Sequence, residues 1–476
     1  MNCAARFPPH VRERAERLAL WSRRSGRVDF AGMGRLAAAA QGAADAEALR
    51  PGDAALVLAA PGPPMFAAVL GLLGRGVTVV FLEPWLPIPD IEHVVRLVQP
   101  RVFIGSRLAQ LWGLQVRAVR EIPRWLSLGS VTRGRRGADT AYGIEDVDPS
   151  TPAIITFTSG TTGRPKGIVR THGYMWSLHE IVTDHGRRDA YEAPDLCVFP
   201  NLALLHLGTG RGAVLAPRDW SERGLRAVDR LPAGDRPASL SCGPTFVDRM
   251  NALAERSPLL ESLRSINVGG AQTDCATFER GFGHWPDATW RHVYGGTEAE
   301  PVALTDAVHA VGRSRARGLF QALHLGRPIP ELETRNSAEG MWVSGPNVVS
   351  GHIGDVGTGR DANRIDEDGR VWHCMGDRIV VDDEGWWYAG RASQPAEDFD
   401  LEQRIYARIG SSACFVARDA DGRLHLYGES VRARAGRQGI ELLRVFPELY
   451  DVHDVTIVRD RRHRARIDRK RTLERA

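Results

Sequence analysis

The sequence predicts an α/β fold, with a large N-terminal domain of parallel sheets covered by helices, a β-rich subdomain, and a small α+β C-terminal domain expected to be mobile. Three observations predict it. Short apolar runs alternate with helical patterns through the first two thirds of the 476 residues. Gly-punctuated strands follow residue 339, and the stretch after residue 390 has strands of its own.

The first unit of the fold is predicted between residues 54 and 105. A strand–helix–strand order at this spacing is typical of a parallel sheet, and the same pattern recurs over 195–217 and 239–270. Strands are predicted at 54–60, 77–82 and 101–105, and helices at 64–73 and 91–97.

The pattern changes after Glu339, where the short strands M-W-V-S-G, G-R-V-W-H and G-W-W-Y-A-G-R are separated by turns. Beyond residue 390 further strands are expected at 414–417, 423–427 and 454–458. We therefore place the domains at 1–390 and 391–476.

Charge and cysteine content bound the class of protein. The net charge is +4, but residues 459–476 hold nine basic and three acidic residues, so the rest of the chain is slightly acidic. An isolated basic run is usually a solvated tail, so no nucleic-acid partner is predicted, although a nucleic-acid arm is the alternative. Six scattered cysteines without a C-x-x-C pair fit neither a zinc site nor a disulfide scaffold and favour a reducing cytosol.

Targeting patterns are not found. The N-terminus becomes charged before any apolar core that a signal peptide needs. The most apolar region, 54–86, is interrupted by prolines and by Arg75, so it cannot supply the ~20 residues of a membrane span. We expect a soluble, cytoplasmic protein.

The sharpest chemical signal is I-I-T-F-T-S-G-T-T-G-R-P-K-G-I-V at 154–169. An apolar strand leads into glycines that let backbone N–H groups turn inward, hydroxyls that add donors, and the ammonium of Lys166, which suits a phosphate. The spacing matches neither the P-loop nor the dinucleotide-binding glycine pattern. The residues expected to hold phosphate are Thr158, Ser159, Gly160, Thr161, Thr162, Gly163 and Lys166.

The loop T-S-G-T-T-G-R-P-K-G resembles the signature of the adenylate-forming superfamily of acyl-CoA synthetases, peptide-synthetase adenylation domains and luciferases. Four further motifs occur in the order that this superfamily has. They are V-G-G-A-Q at 268–272, V-Y-G-G-T-E-A-E at 293–300, M-G-D at 375–377 and Y-A-G-R at 388–391.

The resemblance implies that the protein uses ATP and Mg²⁺. It implies that Glu298, beside Thr297, holds the metal, that Asp377 accepts the ribose hydroxyls, and that Tyr294 stacks on adenine. Bringing a carboxylate to a triphosphate requires charge neutralisation and in-line alignment, which fits such a residue set. The remaining nucleotide-binding residues that it implies are Gly269, Gly270, Ala271, Gly295 and Arg391.

Within the superfamily the chain is most similar to olefin-pathway β-lactone synthetases and long-chain acyl-CoA ligase-like proteins. F-P-N-L-A-L-L at 199–205, L-G-R-P-I-P at 325–330 and V-W-H-C-M-G-D at 371–377 support this likeness. Ala203 falls where many acyl-CoA ligases have an aromatic residue or histidine, which predicts a wider acyl tunnel. The apolar run favours a fatty or β-hydroxy fatty acid as the substrate; His206 is more typical of a core or surface histidine.

Two departures bear on activity. The terminal motif of the family carries a catalytic lysine, and the matching residue in R-H-R-A-R-I-D-R is Arg466. Only Lys166 and Lys470 are lysines among 62 basic residues, so compositional drift is one explanation. Arginine keeps the charge but not the geometry of an ammonium. After Arg391 the chain also lacks the Ile-Lys and glycine loop that the family uses for thioester formation.

These observations predict an enzyme that activates a hydrophobic carboxylic acid as acyl-AMP, releases pyrophosphate, and forms a β-lactone or transfers the acyl group. Lys166, Glu298 and Arg466 are the expected catalytic residues. CoA, an acyl carrier or a pathway partner is the possible acceptor. The alternative is a catalytically weak nucleotide- or acyl-adenylate-binding regulatory or scaffold protein, suggested by the two departures.

Overall fold

The protein is described by a computed structural model covering residues 1–133, 142–159, 165–185, 192–353, 364–367, 369–431, 440–459 and 466–475. Two large sheets, three small sheets and their covering helices confirm the predicted α/β fold. The helices are α1 Pro8–Glu13, α2 Phe30–Ala46, α3 Pro63–Gly74, α4 Ile88–Val98, α5 Arg107–Gly113, α6 Arg117–Arg120, α7 Leu128–Val131, α8 His172–His185, α9 Pro200–Thr209, α10 Glu222–Asp229, α11 Pro244–Ala254, α12 Cys275–His284, α13 Ala307–Ala316, α14 Ala396–Ile409, α15 Ile440–Val445 and α16 Arg469–Leu473, with 3-10 turns at Cys3–Arg6 and Ala233–Asp235.

The strands alternate with these helices. They are β1 Leu18–Ser22, β2 Gly26–Asp29, β3 Ala54–Leu58, β4 Thr78–Phe81, β5 Val102–Gly105, β6 Arg124–Ser127, β7 Pro152–Ser159, β8 Pro165–Thr171, β9 Asp195–Cys197, β10 Ala213–Leu215, β11 Ser239–Cys242, β12 Ser265–Gly269, β13 Thr289–Gly296, β14 Ala299–Asp306, β15 His324–Gly326, β16 Glu333–Ser337, β17 Gly340–Ser344, β18 Gly351–Ile353, β19 Arg364–Glu367, β20 Arg370–Cys374, β21 Asp377–Asp382, β22 Gly385–Arg391, β23 Cys414–Arg418, β24 Leu424–Gly428 and β25 Leu449–Asp454.

A seven-stranded sheet contains the first predicted unit, in the order β18-β8-β7-β4-β3-β5-β6. Strands β7, β4, β3, β5 and β6 are parallel, with Leu56 opposite both Val80 and Phe103. Their apolar runs are buried because helices cover the sheet, as expected for parallel strands. All five carboxyl ends therefore lie at one edge, where β7 leads into the predicted phosphate loop.

An eight-stranded sheet follows, in the order β14-β13-β12-β11-β9-β10-β1-β2, with antiparallel strands only at its ends. The main apolar core lies around α2, α3, α8 and α9 and draws on both sheets. Inside it, His206 Nε2 lies 3.2 Å from Asp195 Oδ2, and the Cys197 thiol donates to the same carboxylate at 3.3 Å. Burial raises the pKa of Asp195, but His206 and Arg211 outweigh burial and lower the pKa. The contact between His206 of α9 and Asp195 of β9 holds the helix to the sheet.

The remaining sheets are smaller, in the orders β15-β22-β21, β16-β17-β20-β19 and β23-β24-β25. A separate apolar core packs α14 against the last of them. The strand predicted at 454–458 is wrong, because β25 ends at Asp454. Its parallel partner β24 ends at Gly428, opposite Asp454, so the residues after Asp454 have no strand with which to pair. The domain boundary after residue 390 stays a prediction.

In the part of the chain that the structure describes, no helix is long and apolar enough to cross a bilayer.

Candidate functional site

The predicted phosphate loop lies at the tip of the β7–β8 hairpin. Thr158 pairs with Lys166 and Ser159 with Pro165, so the hairpin places Lys166 at the carboxyl edge of the sheet. Gly160, Thr161, Thr162 and Gly163 lie outside the described residues. Behind the tip, a Cβ at Gly167 would lie 2.4 Å from Ile353 of β18, so only glycine allows this strand to approach.

Thr297 and Glu298 form the two-residue turn between β13 and β14, since Gly296 pairs with Ala299. Arg170 of β8 fixes this turn to the hairpin: its Nη2 donates to Thr297 O at 2.9 Å and its Nη1 to Thr156 Oγ1 at 2.9 Å. The guanidinium therefore links the predicted metal-binding turn to the strands that carry the predicted phosphate loop.

Glu298 is mostly buried beside two histidines. Its Oε1 lies 3.8 Å from His352 Nε2 of β18. Burial raises the pKa of Glu298, but the nearby His352 and His373 outweigh burial and lower the pKa to about 2. The carboxylate is therefore ionised at neutral pH, the form in which it binds a hard divalent cation.

Tyr294, Asp377 and Arg391 form a bonded group at the other side of the site. The Tyr294 hydroxyl donates to Asp377 Oδ2 at 2.7 Å, and Arg391 Nη1 lies 3.1 Å from Oδ1. Burial and then Asp377 raise the pKa of Tyr294, so its hydroxyl keeps the proton that it donates. Gly376, at φ +65°, makes the turn that starts β21 opposite the end of β22.

The turn after β12 completes the wall, and the C-terminal segment contacts it. A Cβ at Gly269 would lie 2.8 Å from Val293 O, so the strands β12 and β13 require glycine there. Gly270 has φ +86°, and its carbonyl oxygen accepts from Arg466 Nε at 2.9 Å. Arg466 thus lies against the predicted adenine turn, while Lys470 is exposed and is not among the cavity-lining residues.

These groups enclose a cavity of about 350 Å³ between the eight-stranded sheet, β21–β22 and the C-terminal segment. Predicted site residues from five separate segments line it: Gly270, Ala271, Tyr294, Gly295, Asp377, Arg391 and Arg466. Among the predicted residues whose surroundings the structure describes, Lys166, Gly269, Thr297 and Glu298 do not line it, although the charge of Glu298 acts on Arg391.

The cavity fits a nucleoside. Asp377 is 6% exposed, and its Oδ1 is ion-paired with Arg391 but accepts no hydrogen bond from the residues that the structure describes, which leaves an acceptor for the expected ribose hydroxyl. Burial raises the pKa of Asp377, against the opposing effect of Arg391 and Tyr294.

Sequence reasoning missed several residues around the site. Arg170, His352 and His373 surround Glu298, and Arg459 and Arg469 line the cavity from the C-terminal segment. The sequence position of Arg170, four residues after Lys166 on a strand of period two, was the available signal for the first of these. The histidines come from distant strands, so no local pattern pointed to them.

The sequence matches a known enzyme family. The AMP-binding enzyme family matches residues 10–351. An olefin beta-lactone synthetase of Xanthomonas campestris pv. campestris is 26% identical over 389 residues, covering 73% of this chain and 68% of that protein. A feruloyl-CoA synthase of an Amycolatopsis species is 27% identical over 433 residues, covering 81% and 79%.

The fold has close structural neighbours. The crystal structure of ATP-bound MatB from Rhodopseudomonas palustris aligns with a TM-score of 0.77 at 17% identity, covering 100% of this chain and 99% of that chain. Because a family match over 342 residues covers well over half of the sequence, the chain belongs to the AMP-binding enzyme family and is an ATP-using, adenylate-forming ligase.

Proposed function

We propose that this ligase activates a fatty or β-hydroxy fatty acid as acyl-AMP in the cavity between Tyr294, Asp377 and Arg466. The observation that carries the proposal is the convergence of distant sequence motifs on one cavity, with a terminal-segment arginine against its wall. Each motif alone is a weak sign, but residues separated by up to 196 positions meet there.

In the proposed reaction a carboxylate oxygen of the acid attacks the α-phosphorus of ATP. A bond forms between that oxygen and phosphorus, the bond from the α-phosphorus to the bridging oxygen breaks, and pyrophosphate leaves. Negative charge accumulates on the reacting phosphate, so fixed cations contribute most to the rate. Lys166 and the loop from Thr158 to Gly163 would hold the pyrophosphate end, and Arg466 would face the α-phosphate and the carboxylate.

Glu298, with Thr297 beside it, would hold Mg²⁺, whose chemistry is to neutralise the phosphate charge. The low pKa of Glu298 supports this role, because the carboxylate keeps its charge without a bound metal. Arg170 would keep the turn in position through Thr297 O.

A hydrophobic acid is favoured by the apolar segment that begins α9. Phe199, Ala203 and Leu204 belong to it, and Ala203 is fully buried. A Cβ at Gly243 would lie 3.6 Å from both the Phe199 ring and Gly269 O, so this segment starts beside the predicted adenine turn. An acyl chain extending away from the phosphate would therefore meet aromatic and aliphatic carbon.

The connector after Arg391 favours a product other than a CoA thioester. Residues 392–395 lead directly into α14, and hydrogen bonds hold them: Ala392 N donates to Gly376 O at 2.9 Å and Arg378 Nη2 to Gln394 O at 2.8 Å. We propose that the β-hydroxyl oxygen of the acyl-AMP attacks its own carbonyl carbon, loses its proton and expels AMP, which closes a β-lactone.

Product analysis by mass spectrometry tests this function. The enzyme is incubated with ATP, Mg²⁺ and a β-hydroxy or a plain fatty acid, with and without CoA. Lactone and AMP from the β-hydroxy acid, independent of CoA, are the expected result. A CoA-dependent thioester would overturn the lactone proposal while leaving adenylation intact.

The second candidate, a catalytically weak nucleotide or acyl-adenylate binder, is favoured by the replacement of the terminal lysine with Arg466, whose Nε is engaged by Gly270 O. It predicts ATP binding by calorimetry without AMP formation across the same acids. AMP formation that requires the acid would exclude it.

A further inference from the structure

We propose that the protein docks on anionic lipid membranes through an exposed leucine face on α5. The face comprises Leu108 and Leu111 of α5 and Leu114 directly after its last residue, which are 78%, 63% and 54% exposed. Their spacing of three residues puts them on one side of the helix. The opposite side packs on the sheet, where Ala109 is buried and a Cβ at Gly113 would lie 2.9 Å from the Trp125 ring.

This helix therefore has apolar side chains on its solvent side, where a surface helix ordinarily has polar ones. Two more exposed apolar side chains, Trp85 and Ile88, follow β4 at the same edge of the sheet. Strands β4 and β5 are separated only by β3, so the two segments leave the sheet about 10 Å apart. The described part of the chain has twelve large exposed apolar side chains, and five of them belong to these two segments.

Positive charge surrounds the leucine face. Residues 101–133 contain six arginines and one glutamate, a formal charge of +5, whereas the whole chain carries only +4. Arg107, Arg117, Arg120 and Arg124 are exposed; Arg117 is ion-paired with Glu121 and Arg124 with Glu47. Arg120 Nη1 donates to Leu114 O at 3.2 Å, which places a guanidinium directly beside the leucines.

An apolar face on an arginine-rich segment matches the surface of an anionic bilayer, where leucines enter the acyl boundary and guanidinium groups bind phosphates. A second copy of the chain is disfavoured, because a two-fold contact would place the same excess of arginines against itself.

The leucine face lies at the same edge of the seven-stranded sheet as the phosphate hairpin. This proximity does not depend on the proposed reaction. Helix α5 starts after Gly105 at the carboxyl end of β5, and the phosphate hairpin starts at the carboxyl end of β7. Both ends lie at one edge, three strand spacings or about 14 Å apart. A membrane under α5 would therefore lie along the edge of the sheet from which the hairpin rises.

Sedimentation with sucrose-loaded vesicles tests the proposal on the full chain. We expect binding to phosphatidylcholine vesicles that contain phosphatidylglycerol, weakened by added salt, and little binding to phosphatidylcholine alone. L108S/L111S/L114S should lower the partition coefficient at least about 10-fold. R107E should lower it less, and only on the anionic vesicles.

The matched control is V380S/V381S, which removes two valines of β21 that are 50% and 54% exposed and distant from α5 in the sequence. It should bind vesicles like the parent protein, and circular dichroism should be unchanged for all variants. Absence of binding to anionic vesicles, equal binding by the leucine variant, or loss of a dimer by that variant in light scattering would each overturn the proposal.

Discussion

The two halves of the site are built differently. On the nucleoside side, Tyr294, Asp377 and Arg391 contact one another from the regular strands β13, β21 and β22. On the phosphate side, Lys166, Glu298 and Arg466 come from a hairpin tip, a turn and the C-terminal segment. The proposed nucleoside pocket is therefore held together by its own contacts, whereas the residues proposed to supply charge for the reaction come from three separate parts of the chain.

This difference indicates that changes on the phosphate side should reduce turnover, and changes on the nucleoside side should mainly reduce ATP affinity. The division follows from where charge develops in the reaction. Groups that contact the ribose bind substrate and transition state alike, whereas groups at the reacting phosphate bind the transition state more tightly.

Glu298→Gln should have the largest effect, lowering pyrophosphate release by about 100-fold or more, because the amide cannot supply the charge that holds Mg²⁺. Pyrophosphate release at saturating ATP and acid measures it. The exposed neighbour Glu300→Gln is the control and should retain activity. Unchanged turnover in Glu298→Gln would disprove the metal-binding role.

Arg466→Ala should lower turnover by about 10- to 100-fold with a small change in the KM for ATP, since it removes a cation from the reacting phosphate. Arg466→Lys should maintain or raise the rate. Single-turnover kinetics separates the two variants, with the exposed Arg475→Ala as the control. Loss of activity in Arg466→Lys would show that the guanidinium itself is required.

Asp377→Asn should raise the KM for ATP about 10-fold and change turnover less, because it weakens charged hydrogen bonds worth about 1.5 kcal/mol to the ribose. Steady-state kinetics with varied ATP measures this split, and the exposed Asp383→Asn should match the parent protein. A reduced turnover with unchanged KM would contradict the comparison between the two halves.

Asp274→Asn should have the smallest effect, on stability alone. Burial raises the pKa of Asp274 from 3.8 to about 6, although Ser412 Oγ donates to it at 2.9 Å. The folded state therefore holds the proton of Asp274 more tightly than the unfolded state does. The protonated carboxyl contributes fully to stability below the unfolded pKa of 3.8, and this contribution is lost as the pH rises through about 6.

The variant should therefore raise the melting temperature by a few degrees near pH 7 and match the parent protein near pH 4. Thermal unfolding followed by circular dichroism at several pH values measures it. The exposed Asp287→Asn provides the baseline. A difference in melting temperature between the variant and the parent protein that grew on acidification would contradict the raised pKa of Asp274.

The fold could be predicted from the sequence because it depends on local patterns, and the motifs that carry Tyr294, Asp377 and Arg391 could be recognised by their resemblance to a family. Buried parallel strands have apolar runs, as at 54–58, and turn motifs such as that of Gly376 mark backbone conformations that favour glycine. The strand predicted at 454–458 failed because its end is set by a partner strand, which the local sequence does not encode.

The surroundings of Glu298 could not be predicted for the same reason. His352 comes from a strand that adds to the seven-stranded sheet, and His373 from the four-stranded sheet, so their approach depends on how the sheets pack. Arg170 lies close to a recognised motif, but its bond to Thr297 O joins residues 127 positions apart.

Acid-dependent exchange of pyrophosphate into ATP tests the central claim most directly, because it requires reversible formation of acyl-AMP and no later step. With Mg²⁺ and a hydrophobic acid we expect exchange by the parent protein and none by Glu298→Gln. ATP binding without exchange across fatty and β-hydroxy fatty acids, under conditions where the parent protein is folded, would contradict the assignment of this cavity to acid activation.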